Sequence, residues 1–136
     1  EVKKFTKKPL HDWFKDTEAH YKEENFYKIY INLPREKLIK KINIRTEQMI
    51  RMGAIREVKK FIKLKVKKNN TANKAIGINE IKDYLSGKNN LKEMKEKVSI
   101  KTRQYAKKQR TWARGHMYNW NVFDYNDFRK IINDLN

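Results

Sequence analysis

Apolar residues recur along most of this chain at the three- and four-residue spacing of amphipathic helices. The longest such segment, "NLKEMKEKVSIKTRQYAKKQRTWARG", ends at Gly115 and predicts one long helix. Two further helices are predicted from Pro34 to about Met52 and over "AIREVKKFIK", with Gly53 between them. A short helix over "KAIGINEIKDYLSG" and another after Pro9 complete the helical set. The expected buried positions on the three longer helices are Leu38, Ile42, Met49, Met52, Ile55, Val58, Phe61, Ile62, Leu91, Met94, Val98, Tyr105 and Trp112.

Strand signals are fewer and shorter. In "NFYKIYINLP" apolar side chains alternate with Lys28 and Asn32, which predicts a half-buried strand. Beyond Gly115, "MYNWNVFDYNDFRKIINDLN" predicts a short extended segment followed by a small terminal helix. No internal repeat or linker divides the sequence, and its length suits one core. We therefore expect residues 1–136 to form a single domain that is mainly α with a small β contribution, its helices packed on one or two core strands.

The chain is strongly basic. Its 136 residues include 34 Lys plus Arg against 16 Asp plus Glu, a formal net charge of +18. Such a field attracts polyanions in a salt-dependent way, and nucleic acid is the first partner to consider. Only eight of the 34 are Arg, however, and Asn and Ile are abundant, a bias that an A+T-rich genome also produces. Clustering of the charges is what separates a function from a compositional bias.

Four of the cations cluster on one side of the long predicted helix. At about 100° per residue, Arg103, Lys107, Arg110 and Arg114 fall within a sector of roughly 60°. No acidic residue interrupts the sequence from position 99 to 115. Like charges four residues apart repel by a few tenths of a kcal/mol per pair, and a helix face that is merely solvated usually mixes signs. The pattern favours a phosphate-binding surface over a solvated face, and both interpretations stay open.

The sequence carries no self-sufficient active site. It has no Cys, which excludes disulfides, thiol nucleophiles and thiolate zinc sites. Its four glycines fit neither G-x-x-x-x-G-K-[ST] nor G-x-G-x-x-G, and its three histidines lack the spacing of a metal site. No apolar run approaches the roughly 20 residues of a membrane span. We therefore expect an intracellular chain without catalytic or metal-ligating residues of its own.

The stretch "TRQYAKKQRTWARG" resembles the C-terminal signature of the tRNA dimethylallyltransferases. Upstream segments are similar to that family in the same order: "EVKKFTKKPLHDW", then the R-x-x-x-M-x-x-x-G-x-x-x-E-V pattern of "LIKKINIRTEQMIRMGAIREV", then "KAIGINEIKDYLSG". The resemblance runs continuously from residue 1 to about residue 115 and fades in the last twenty. It implies that the chain is the C-terminal part of a P-loop-type α/β fold.

Enzymes of this family transfer a dimethylallyl group from dimethylallyl diphosphate to N6 of the adenine next to the anticodon of a tRNA. The resemblance implies that this base is flipped into a channel while magnesium stabilises the leaving diphosphate. It also implies that the phosphate loop, the catalytic Asp and the magnesium ligands belong to an N-terminal half that precedes this sequence. We expect a cytoplasmic chain that binds the tRNA anticodon stem-loop. For catalysis it would need that half, within one longer protein or as a separately encoded partner.

Two stretches match the family's tRNA-contacting segments. Ile78 stands where the family usually has Tyr, which removes a ring and a hydroxyl, and Lys108 replaces an Arg, which keeps the charge without the bidentate fork. For Gly77 a turn requirement is the favoured interpretation, and the alternative is a backbone that passes close to a ligand, beside a helix start with unpaired N–H groups. The implied tRNA-binding residues are Lys74, Ala75, Ile76, Gly77, Ile78 and Asn79 in the first stretch, and Arg103, Gln104, Lys107, Lys108, Gln109, Arg110, Thr111, Trp112, Ala113 and Arg114 in the second.

Two other interpretations are compatible with the same sequence. The chain could be a free-standing basic helical module that binds nucleic acid and catalyses nothing, as its charge and lack of an active site suggest. It could also be the inactive remnant of a split gene, because a strand separated from its parallel neighbours exposes an edge and apolar faces.

Overall fold

The structure is a computed structural model that describes residues 1–18, 20–67, 69–127 and 131. In chain order its elements are α1 (Val2–Thr6), α2 (Leu10–Asp16), β1 (Ile29–Asn32), α3 (Arg35–Arg51), α4 (Ala54–Lys63), α5 (Ile78–Leu85), α6 (Leu91–His116) and β2 (Asn121–Asp124). Short 3₁₀ turns at Glu23–Asn25 and Thr71–Lys74 precede β1 and α5. No helix in this described part is long and apolar enough to cross a membrane.

The two strands lie side by side and run parallel. Ile29 pairs with Asn121 and Asn32 with Asp124, and the Asn121 N–H donates to the Lys28 carbonyl oxygen at 2.9 Å. A parallel pair needs a crossover connection, and α3 to α6 supply it here. The predicted strand and the predicted extended segment near the C-terminus are both confirmed. So is the expected class, mainly helical with a small β contribution.

The core forms where α5 packs against α4 and α6. Ala54, Val58, Ile81, Met94 and Val98 make one buried cluster, and Ile81 and Met94 are almost inaccessible to solvent. Each fully buried aliphatic side chain contributes about 1.5–3 kcal/mol. The cluster therefore fixes the N-terminal half of α6.

Helix α3 runs antiparallel along another side of α6. The buried Ser99 hydroxyl donates to the Thr46 hydroxyl oxygen at 3.1 Å, and the Thr46 hydroxyl donates to the Ile42 carbonyl oxygen at 3.0 Å. One turn away, Lys95 pairs with Glu47 at 2.6 Å. These contacts align the two helices and satisfy the polar groups that their packing buries.

Several residues of the predicted apolar stripes are exposed, which corrects the expected core: Met52, Ile62, Leu91, Tyr105 and Trp112. Met52 follows the last residue of α3 and Leu91 begins α6, so each lies at a helix end with few neighbours. Tyr105 and Trp112, each 55% exposed, continue the buried stripe of α6. They lie beyond the reach of α5, whose first turn already contacts α6 at Lys101. The helix is longer than the core that covers it.

Two differences concern the ends of the chain. The short helix α1 was not predicted, because "VKKFT" carries no apolar stripe. Most of the terminal helix predicted after β2 falls outside the described residues.

Gly77 is expected to be intolerant of a side chain for conformational reasons. Its φ is +105°, while the nearest atom to an added Cβ would be Met49 Cε at 3.8 Å, an ordinary contact. Gly77→Ala should therefore lower the free energy of unfolding by about 1–3 kcal/mol through backbone strain.

Gly115→Ala is the matched control, because Gly115 lies in α6 with open space around its Cβ position. It should leave stability unchanged or raise it by up to about 1 kcal/mol, as alanine favours helix. Urea unfolding followed by circular dichroism measures both variants. Equal stabilities would contradict the positive-φ requirement at Gly77.

Candidate RNA-binding surface

A row of cations borders the groove between α6 and the beginning of α3. The cationic row consists of Arg103, Lys107, Arg110 and Arg114, all of which line a groove of about 490 Å³. Arg35 adds a fifth cation from the first turn of α3. The predicted clustering of these side chains on one side of α6 is confirmed.

The cationic row has no countercharge in the part of the chain that the structure describes. Lys95 and Lys101, on the same helix, pair with Glu47 and Glu80. No such ion pair involves a member of the row among residues 1–18, 20–67, 69–127 and 131. Arg103 and Arg110 are half-buried against the groove, and Lys107 and Arg114 are exposed. The groove is thus accessible to an anion and carries several unpaired positive charges.

The remaining residues of the second stretch have different surroundings. Gln104 lines the same groove as the row, whereas Lys108, Gln109, Trp112 and Ala113 border an apolar groove of about 740 Å³ beside β1. The Trp112 ring stacks on His116, with ring centroids 4.5 Å apart. Ala113 is buried, and the Thr111 hydroxyl donates within the helix to the Lys107 carbonyl oxygen at 3.1 Å.

The first stretch forms a loop that a single buried carboxylate attaches to α6. Glu80, 4% exposed, accepts a hydrogen bond from the Gly77 N–H at 2.9 Å and pairs with the Lys101 ammonium. Burial raises the pKa of Glu80, but the hydrogen bond from Lys101, the backbone N–H groups and the Lys101 charge outweigh it, so the pKa lies below its ordinary value. The Gly77 N–H therefore donates to Glu80, and the Ile78 N–H donates to the Ala75 carbonyl oxygen at 3.3 Å, so these two N–H groups at the start of α5 are paired within the chain.

The loop and the cationic row border different grooves. Lys74, Ala75 and Ile76 lie next to Tyr105 in a groove of about 450 Å³. On the helical wheel Tyr105 is about 200° from Arg103, so this groove is on the opposite side of α6 from the row. The two predicted stretches are therefore neighbours along α6 without forming one pocket. Ile78 and Asn79 begin α5, where Ile78 packs against the core and Asn79 is exposed.

Sequence reasoning missed three features of this surface. Arg35 and Arg45 come from α3, and no pattern within one helix could place them opposite α6. The bridge from Glu80 to Lys101 was also missed. The contact from Glu80 to the Gly77 N–H could have been predicted, because a Glu three residues after the residue that starts a helix is the capping-box arrangement.

The magnesium implied by the family resemblance finds no set of ligands in this surface. Within the described ranges, no group of three or more His, Asp or Glu side chains could hold a metal ion. The residues present therefore do not fit that ion.

Known proteins resemble this chain over most of its length. The family described as IPP transferase matches residues 1–116. The tRNA dimethylallyltransferase of Pelagibacter ubique is 49% identical over 120 residues, which are 88% of this chain and 38% of that protein. The tRNA dimethylallyltransferase of Acetivibrio thermocellus is 35% identical over 137 residues, or 99% of this chain and 44% of that protein. This chain thus spans less than half the length of these relatives.

Solved structures show the same likeness. The full-length tRNA isopentenylpyrophosphate transferase of Bacillus halodurans superposes with a TM-score of 0.71 at 30% identity, over 92% of this chain and 41% of that one. The tRNA delta(2)-isopentenylpyrophosphate transferase of Staphylococcus epidermidis gives a TM-score of 0.65 at 26% identity, over 99% of this chain and 46% of that one. These likenesses confirm the expected P-loop-type fold class.

The lowered pKa of Glu80 predicts how the free energy of unfolding depends on pH. A carboxylate whose pKa is lower in the folded state than in the unfolded state stabilises the fold at a pH above its unfolded-state pKa. This stabilisation is lost as the pH falls through its folded-state pKa. Taking 4.5 as the ordinary pKa, the wild type should lose stability below pH 4.5. Glu80→Gln should cost about 1–2 kcal/mol at pH 7 by unpairing Lys101, and should reduce that acid-dependent loss.

Urea unfolding at pH 7 and at steps down to about pH 3.5 measures both effects. Glu96→Gln is the matched control, because Glu96 is exposed on α6 and makes no ion pair with a described residue. It should change stability by less than about 0.5 kcal/mol. Parallel pH profiles for the wild type and Glu80→Gln would refute the assigned role of Glu80.

Proposed function

Because this chain belongs to the IPP transferase family, we propose that it supplies the RNA-contacting helices of a tRNA dimethylallyltransferase. The names of its relatives support the reaction class. The cationic row supports the role that we assign to this chain, which is to bind the anticodon stem-loop of the substrate tRNA.

The proposed reaction moves a dimethylallyl group from its diphosphate to N6 of the adenine beside the anticodon. The base must leave its stack to react, so the surrounding RNA has to be held while one nucleotide is flipped out. Contacts to the phosphate backbone fix the position of a nucleic acid without reading its sequence. We assign that positioning to this chain. The phosphate loop, the catalytic Asp and the magnesium expected for the family are assigned to the portion of such enzymes that this chain does not cover.

The observation that carries the proposal is that no carboxylate among the described residues pairs with the cationic row. Four like charges on one side of α6 disfavour the helix by a few tenths of a kcal/mol for each neighbouring pair. A bound phosphate reverses the sign of this interaction, and Arg can grip it through two parallel N–H donors. Arg103 and Arg110 are half-buried in the groove, so each loses less rotamer freedom on binding than the exposed Lys107 and Arg114.

A salt titration tests the proposal directly. Arg110→Ala combined with Arg114→Ala should weaken binding of an anticodon stem-loop RNA by roughly 30- to 150-fold at low salt, if each lost contact contributes about 1–1.5 kcal/mol. The slope of log affinity against log salt should fall in magnitude by about one unit for each lost phosphate contact. Filter binding at several salt concentrations measures both quantities.

Arg51→Ala combined with Arg56→Ala is the matched control, with the same charge change at two exposed arginines. Arg51 lies about 24 Å along α3 from Arg35, at 1.5 Å per residue. It is therefore far from the groove that the cationic row lines. The control should reduce affinity only through the general field. If both double variants changed the slope equally, the row would have no specific role.

A further inference from the structure

Tyr105 lies in a concave, positively charged groove on the side of α6 away from the cationic row. The tyrosine groove, about 450 Å³ in volume, is lined by Arg45 and Met49 of α3, Lys74 and Ile76 of the loop, and Tyr105 itself. Its size is within the range of small-ligand sites. The ring of Tyr105 is 55% exposed, although its position continues the buried stripe of Met94 and Val98.

The positive charges in this groove have no countercharge in the described part of the chain. The residues that line it include Arg45 and Lys74 but no Asp or Glu. Neither cation pairs with a carboxylate among the residues that the structure describes. The groove therefore presents positive charge next to an accessible aromatic face.

Two other exposed rings of the chain, those of Tyr125 and Trp112, already have neighbours that occupy them. Tyr125 accepts a hydrogen bond from Lys41 at 2.8 Å, with the ammonium over its ring, and Trp112 is stacked on His116. Among the contacts of the described residues, Tyr105 has neither a ring-stacking partner nor a cation over its face. Its ring is available to a ligand.

The groove fits the two parts of one unpaired nucleotide. A base stacks on an aromatic side chain and packs against apolar ones, which Tyr105, Ile76 and Met49 provide. The attached phosphate takes the cations, Arg45 and Lys74. A base inside a duplex has both faces covered by its neighbours, so the ligand must come from a single-stranded loop or an extruded position.

We propose that Tyr105 is a stacking platform for an unpaired nucleotide of the anticodon loop, whose phosphate is held by Arg45 and Lys74. This inference rests on the proposed function, which supplies the RNA. On α6, exposed Gln104 lines the groove of the cationic row, and exposed Lys108 borders the apolar groove beside β1.

The experiment uses stem-loop RNA that carries 2-aminopurine at one unpaired loop position at a time, because stacking quenches its fluorescence. Wild type and Tyr105→Phe should both quench at least one position, as each retains the ring. Tyr105→Ala should lose the quenching and bind roughly 5- to 150-fold more weakly, the range for one stacked base. Arg45→Ala combined with Lys74→Ala should lower the salt slope.

Three controls separate stacking from other effects. Tyr118→Ala removes an equally large ring that is 84% exposed in the turn before β2, and should change neither quenching nor affinity. A blunt RNA duplex with the same number of phosphates should bind wild type and Tyr105→Ala equally. Tyr105→Leu keeps apolar volume without a π face and should behave like Tyr105→Ala. Circular dichroism melts confirm that each variant is folded.

The outcomes distinguish this inference from the proposed function. If Tyr105→Ala and Tyr105→Leu keep full quenching and affinity while the Arg110 and Arg114 double variant is weakened, the platform is overturned and the proposed function stands. If the wild type does not bind the stem-loop, both are overturned.

Discussion

The buried carboxylate of Glu80 is the interaction on which the arrangement of this surface depends. It accepts from the Gly77 N–H at 2.9 Å and pairs with Lys101, so one side chain starts α5 and attaches the preceding loop to α6. The bridge also marks a change in the character of α6. Toward its N-terminus the helix is a core element, with Met94 and Val98 buried. Toward its C-terminus it carries exposed rings and cations that pair with no described carboxylate.

Because of that change, the C-terminal part of α6 carries two different kinds of surface on its two sides. Arg103 and Tyr105 are only two residues apart, but about 200° of rotation places them on opposite sides of α6. One side offers guanidinium and ammonium groups in a groove with the start of α3. The other offers a phenol ring, apolar side chains that include Met49 and Ile76, and the cations Arg45 and Lys74. A nucleic acid has the same two parts, phosphates and base faces, and single-stranded segments expose both.

Features that lie within one helix could be predicted from the sequence. Sites that several segments form together could not. Helical periodicity located α3 to α6, and a wheel was enough to place Arg110 and Arg114 together. The same periodicity predicted that Tyr105 and Trp112 are buried, which is wrong. An apolar stripe on one helix does not show how far the helix that covers it extends. The tyrosine groove was not predicted, since it joins Arg45, Lys74 and Tyr105 from three separate segments. Packing of α3 on α6 brings Arg45 to Tyr105, and the Glu80 contact to Lys101 holds the loop that carries Lys74. Both are tertiary contacts without a local signal.

The balance of energies explains how α6 tolerates an uncompensated row. Three neighbouring like-charge pairs in the row cost roughly 1 kcal/mol in total at a few tenths each. Burial of Met94 and Val98 alone contributes about 3–6 kcal/mol, so packing at one end of the helix exceeds repulsion at the other. The repulsion therefore does not break the helix. It leaves the row accessible to an anion, because a phosphate that binds there meets no carboxylate of the described chain that it must displace.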